Sequence, residues 1–226
     1  MTFALLPGAG GAAWYWHRVT PMLEAAGHQV VAVDLPGDDD TAGLGEYADI
    51  AVAAVGAAPA PVTVVAQSMG AFIAPVVAAR VAAARIVLVN PMVPLPGETA
   101  GQWWDATGQP IARVAHLERI GLPRRDFDPI EDLFHDVPDD VREVAFAEPE
   151  PPQSDTAFGQ PFALPCWPDI PTSVLAGADD RLFPLEFQQR VVRDRLGLDV
   201  DVLPGGHLNA LSHPQDLARR LLSYAP

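Results

Sequence analysis

Apolar residues along this chain fall in short bursts separated by polar or glycine-rich turns. Six such runs, at 3–6, 29–33, 62–66, 85–89, 172–176 and 199–203, are dense in valine and leucine, as strands inside a sheet should be. Between them the stretches 16–26, 47–55, 69–80, 184–196 and 214–224 carry helical spacing. Strand and helix in alternation predict a mostly parallel central sheet with helices on both faces. Pro75 falls inside the third helical stretch and predicts a kink or an irregular start there.

The alternation breaks between Asn90 and Trp167. Pro91, Pro94, Pro96, Pro110, Pro123, Pro129, Pro138, Pro149, Pro151 and Pro152 punctuate that stretch, leaving short helical pieces such as 138–147. It is too long for a plain loop, and its ends must meet two strands of one sheet. The pattern predicts a core formed by residues 1–90 and 167–226, with 91–166 inserted as a cap over one sheet edge. No internal repeat is visible.

Composition narrows the choices. At 226 residues the chain is long enough for one large α/β domain, and 49% apolar against 19% charged residues argues for a folded core. The formal net charge of −15 speaks against nucleic acid or an anionic membrane as partner. There is no lysine, which removes Schiff-base chemistry, a Ser–Lys dyad and a P-loop. The lone cysteine, Cys166, excludes an internal disulfide and any multi-cysteine metal site. Phe3-Ala4-Leu5-Leu6 runs straight into Pro7-Gly8, so it reads as a strand rather than a signal peptide, and a cytoplasmic location is expected. Oligomeric state leaves no trace in the sequence.

The candidate chemistry sits where strands end. In an open parallel sheet ligands bind beyond the carboxyl ends of the strands. Four such ends here carry polar or glycine-rich turns: Pro7-Gly8-Ala9-Gly10-Gly11, Ala66-Gln67-Ser68-Met69-Gly70, Gly177-Ala178-Asp179-Asp180-Arg181 and Pro204-Gly205-Gly206-His207. Ser68 lies at a strand-to-helix corner, where small residues two before and two after permit a sharp turn. A serine, then an aspartate, then a histidine is the order of a nucleophilic triad. Ser68 would attack a carbonyl, His207 would take its proton, and an aspartate, Asp179 or Asp180, would hold the imidazolium. The N–H groups of Met69 and Ala9 would receive the oxyanion. The plainer reading of Ser68 is a helix cap. Asp34 is expected to fix the Leu35-Pro36-Gly37 turn, and His17, His28, His116, His135 and His213 to serve surface or packing roles.

These segments resemble the α/β-hydrolase superfamily along the whole chain. Leu6-Pro7-Gly8-Ala9 with Trp14-Tyr15-Trp16, then Val33-Asp34-Leu35-Pro36-Gly37, are similar to its oxyanion loop and the following turn. Gly177 to Pro184 resembles its acid loop, and that resemblance selects Asp180 over Asp179. His207-Leu208-Asn209-Ala210-Leu211-Ser212-His213-Pro214 is similar to the histidine segment of the branch holding plant methylesterases and hydroxynitrile lyases. Pro7, Gln67 and Ala66 depart from the family's usual histidine, histidine and glycine. The lyases of this branch use a lysine near the histidine, where Leu208 stands here.

The resemblance implies a serine hydrolase that cleaves a small, largely apolar carboxylic ester through an acyl-enzyme, with no metal or organic cofactor. Trp103 and Trp104 in the cap are candidates for the pocket wall. Two rival readings stand beside this one. Gly8-Ala9-Gly10-Gly11-Ala12-Ala13 with Asp34 fits a dinucleotide fingerprint and an NAD(P)-dependent oxidoreductase, although Trp14 to Trp16 crowd the helix start. A hydrolase fold can also serve as a slow or non-catalytic ligand-binding protein.

Overall fold

The computed structural model describes residues 1–226 apart from 57, 60, 148–151 and 225–226. Pro149 and Pro151 therefore lie outside the described residues. Among the described residues six strands form one sheet, β1 (Thr2–Leu6), β2 (Gln29–Ala32), β3 (Val62–Gln67), β4 (Arg85–Val89), β5 (Thr172–Gly177) and β6 (Val200–Leu203), in the order β2-β1-β3-β4-β5-β6. Every pairing is parallel. Register alternation sends Ala4, Leu6, Val64, Ala66, Ile86 and Leu88 to one face. Phe3, Leu5, Val65, Val87, Val89 and Leu175 go to the other. Both faces meet apolar helices, which is why the central strands β1, β3 and β4 read as hydrophobic runs rather than alternating ones, while the edge strands β2 and β6 stay partly exposed.

Helices α1 (Thr20–Ala25), α2 (Leu44–Val55) and α3 (Ala74–Arg80) connect the first four strands. The stretch expected to be one helix over 16–26 is two pieces, a 3₁₀ turn at Ala13–Trp16 and α1. Pro21 causes the division, because it occupies the first turn of α1 and could not sit in a helix interior. Pro75 acts likewise: the segment after β3 begins as a 3₁₀ turn, Ser68–Phe72, and only at Ala74 becomes α3. Helix α2 starts three residues earlier than its apolar spacing suggests, since Glu46 reaches back to accept from the Gly43 N–H at 2.9 Å.

Between β4 and β5 the chain builds α4 (Ala100–Thr107), α5 (Gln109–Arg119), α6 (Pro129–Asp132), α7 (Asp139–Ala145) and α8 (Asp155–Gly159). Ala100, Trp103, Ala157 and Phe162 from this insert join the same apolar cluster as Phe72, Ile73 and Leu88. It is anchored to the sheet's core rather than resting on it. Three further helices close the chain, α9 (Leu185–Leu196), α10 (Asn209–Ser212) and α11 (Pro214–Leu222). Among the described residues no helix is long and apolar enough to cross a membrane.

The insert is braced by a buried charge cluster. The enclosed Asp132 carboxylate accepts from Arg113 at 2.6 Å, from Arg125 at 2.7 and 2.9 Å, and from the Asp128 N–H at 2.9 Å. Burial by itself would raise the proton affinity of Asp132, but the Arg125 and Arg113 hydrogen bonds outweigh it and hold the carboxyl below its usual range. A carboxylate held low contributes stability above its unfolded-state range, and that contribution is lost as pH falls through the folded value. Asp132→Asn, which leaves two guanidiniums facing a neutral amide, is expected to lower stability by about 3–5 kcal/mol in urea unfolding at neutral pH. Unmodified protein should lose stability more steeply than the variant as pH falls below about 5. Parallel pH curves for the two would contradict the assignment.

Candidate active site

The site grows from the turn that follows β3. Ser68 holds φ at 49°, in the left-handed region that a residue with a Cβ rarely adopts. The strain is tolerated because the chain must leave a buried strand and enter a helical turn within one residue. Ala66 sits beside Leu6 in register, and a Cβ on Gly70 would lie 2.5 Å from the Pro7 carbonyl oxygen. Gly70 leaves no room for a side chain, and Ala66 is fully enclosed. The turn lifts Ser68 toward a cavity while leaving it 7% exposed.

Two loops from neighbouring strand ends reach this serine. His207 follows β6, and its Nε2 lies 3.1 Å from Ser68 Oγ. Its Nδ1 lies 2.9 Å from Asp180 Oδ2, in the loop after β5. A carboxylate only accepts, so Nδ1 carries the proton and Nε2 turns its lone pair toward the hydroxyl. Asp180 is fully enclosed; its other oxygen, Oδ1, accepts from the Leu182 and Phe183 N–H groups at 2.9 and 2.8 Å. Phe183 sets its ring edge-on to the imidazole, with centroids 4.8 Å apart. Asp179 points elsewhere: it is exposed, and it accepts from the Gly205 N–H at 3.3 Å.

The loop after β1 faces Ser68 across the site, at the point where strand order reverses between β1 and β3. Ala9 and Gly10 line the cavity there. The Gly10 N–H is already taken, donating to Gln153 Oε1 at 3.0 Å. Met69 stands at the second position of the helical turn, where an N–H has no preceding carbonyl to bond. Asp34, which a dinucleotide reading would place on a ribose, accepts from the Ala13 N–H at 2.7 Å.

The cavity measures about 1040 Å³ and reaches from Ser68 and His207 to the helices of the insert. Met92, Trp104, Phe158 and Leu182 form apolar wall, and Gln109 and Arg113 add polar groups. The two cap tryptophans separate here. Trp104 lines the cavity, whereas Trp103 is 0% exposed and donates its indole N–H to the Val93 carbonyl at 2.9 Å. Adjacent helix positions point about 100° apart, so only one of the pair can face the cavity. The reading of Trp103 as pocket wall is corrected: it packs behind Trp104, against Phe183 and Phe187.

Comparison with known proteins places the fold. A model of the alpha/beta hydrolase family matches residues 3–220. The chain belongs to this family. The crystal structure of polyneuridine aldehyde esterase superposes on it with a TM-score of 0.76 at 20% identity, covering 100% of this chain and 99% of that one. Norfluorocurarine synthase 1 of Strychnos nux-vomica is 52% identical over 33 residues, 15% of this chain and 12% of that protein. Methylesterase 1 of Arabidopsis thaliana is 54% identical over 33 residues, with the same shares. The matched stretch thus spans about an eighth of the curated relatives' length.

Within this hydrolase fold the remaining histidines stand outside the Ser68–His207–Asp180 line. His17 stacks on Trp14 and His28 meets the edge of Phe3. Burial pushes His116 and His135 below the ordinary imidazole range. Gln153 and Arg113 had no signal in the sequence, because their place in the cavity wall depends on how the insert folds back. The packing at the serine turn gives a direct test. Gly70→Ala should cost about 1–3 kcal/mol by driving Cβ into a backbone oxygen, read as a fall in Tm of about 2–4 °C per kcal/mol. Gly45→Ala, whose Cβ meets nothing within 4 Å in α2, should be neutral or stabilising. Equal effects at the two sites would contradict the tight approach.

Proposed function

We propose that this chain is a serine carboxylic-ester hydrolase acting on a small-molecule ester through an acyl-enzyme. The observation that carries the proposal is the unbroken hydrogen-bonded line from Ser68 Oγ through His207 to Asp180, opening into a cavity. Family membership and likeness to proteins named as esterases support it.

The chemistry follows from the geometry. Ser68 Oγ attacks the ester carbonyl carbon as its proton passes to His207 Nε2. The imidazolium so formed is held by the Asp180 carboxylate. Negative charge gathers on the former carbonyl oxygen, where we place the N–H groups of Ala9 and Met69. Collapse breaks the C–O bond, and His207 returns the proton to the departing alcohol. Water then enters, gives its proton to His207, and attacks the acyl carbon. The second collapse releases the acid and restores Ser68. None of these steps needs a metal or cofactor.

The insert over 91–166 is read as the cap that shapes this cavity. Trp104, Met92, Phe158 and Leu182 give the ester's apolar part a surface to bury against. Ser68→Ala is expected to abolish hydrolysis of p-nitrophenyl butyrate while leaving thermal unfolding unchanged, and retained turnover would move the nucleophile elsewhere. Asp180→Asn should reduce kcat about 10⁴-fold by disturbing the histidine tautomer. Asp179→Asn should fall far short of that loss, and the reverse order would reassign the acid.

A further inference from the structure

Two buried amides lie beneath the contact between Asp180 and His207. Asn90, the residue after β4, is fully enclosed and adopts a φ of 46°, outside the range ordinary for a side chain at a strand end. Its Oδ1 accepts from the Gly177 N–H at 2.7 Å, and its Nδ2 donates to the carbonyls of Gly206 and His207 at 3.2 and 3.0 Å. One side chain thereby ties the start of the acid loop to the backbone of the histidine loop. Gln188 in α9 is 2% exposed. Its Nε2 lies 2.7 Å from the Phe183 carbonyl, 3.3 Å from Asp180 Oδ2 and 3.4 Å from Asn90 Oδ1.

All three neighbours of that amide end are acceptors, so the nitrogen must face them and the amide cannot be turned over. The opposite end has nothing to bond. Gln188 Oε1 is buried with no hydrogen-bond partner among the described residues. Leucine or methionine would fill this volume without stranding a carbonyl. A glutamine here makes physical sense through its donor end, and one of that end's acceptors is the carboxylate oxygen that also receives His207 Nδ1.

We infer that Gln188 is a positioning residue, holding Asp180 Oδ2 toward His207 and drawing off part of its charge, with Asn90 locking Gln188 and both loops in register. Leu182 and Phe183 N–H on Oδ1 and Gln188 on Oδ2 together oppose rotation of the carboxylate away from the imidazole. The shared donor also sets how strongly an imidazolium at His207 is held. Tyr15, His116 and His135 are the more distant titratable groups that feel the Asp180 charge. The inference rests on the roles proposed above for Ser68, Asp180 and His207.

The test compares the unmodified protein with Gln188→Met and Gln188→Leu. It records the pH profile of kcat/KM on a p-nitrophenyl ester and the ¹⁵N NMR titration of His207. Removing the donor leaves more carboxylate charge for the imidazolium. The acid limb and the His207 titration should both move to higher pH, by about half a unit. At the plateau kcat should fall about tenfold, with KM little changed. A merely structural glutamine would lower stability and leave both curves in place, and folded variants behaving so would overturn the inference. A further readout needs no substitution: the Gln188 side-chain amide signals of the unmodified protein should shift as His207 titrates. Signals that stay fixed through that titration would also overturn it. Absence of Ser68-dependent hydrolysis by the unmodified protein would instead remove the esterase reading, and the NMR titrations would still decide the role of Gln188.

Discussion

The site depends on one cramped turn. Ser68 carries a positive φ because β3 and the helical turn after it leave no room for a gentler corner. The Pro7 carbonyl stands so close to Gly70 that the loop after β1 and the serine turn form one packed unit. Strain of this kind costs free energy and persists only where surrounding structure over-determines it. Here the determinants are the β1–β3 register, which sets Leu6 against Ala66, and the Ser68 carbonyl accepting from the Met92 N–H at 3.1 Å. The strand before the site, the strand beside it and the entry to the cap all converge on a single residue.

From that point the parallel sheet does the remaining assembly. β3, β4, β5 and β6 lie side by side, so their ends present Ser68, Asn90, Asp180 and His207 along one edge. Each position is supplied by a different stretch of sequence, yet the Ser68, His207 and Asp180 side chains meet within hydrogen-bond distance, and the Asn90 amide reaches the His207 backbone carbonyl. The insert adds the rest of the cavity. It is joined to the core through Trp103, packed against Phe183 and Phe187, and through the nearly enclosed Glu98–Arg195 ion pair. The arrangement is enclosed and hydrogen-bonded below, where acid and base must hold their geometry, and built from short helices above, where the cavity wall is set.

How much of this was legible in the sequence varies with the kind of interaction. The central strands could be read because both faces of the sheet are buried there, so each appears as an apolar run of strand length. The edge strands β2 and β6 are partly exposed and were legible from short valine-rich runs. The corner at Ser68 could be read from Ala66 and Gly70, whose small size is a direct image of the steric demand. Pro75 marks the irregular start of α3, and Pro21 divides the first helical stretch in the same way, a break that apolar spacing alone does not show. Trp103 and Trp104 were indistinguishable as neighbours, since one residue of helical rotation decides which faces the cavity. Asp179 and Asp180 differ in the same way: both follow β5, and only the loop's course turns one inward. Gln188 and Asn90 gave no signal, because a buried amide is identified by its partners and those come from four separate segments.

The account stands most directly on the reactivity of Ser68. Treatment with a fluorophosphonate, followed by mass mapping of the modified peptide, reads that reactivity without knowledge of the natural substrate. The account predicts a single covalent adduct on Ser68, lost in the His207→Ala variant. An unlabelled protein, or an adduct on another residue with Ser68 intact, would contradict it.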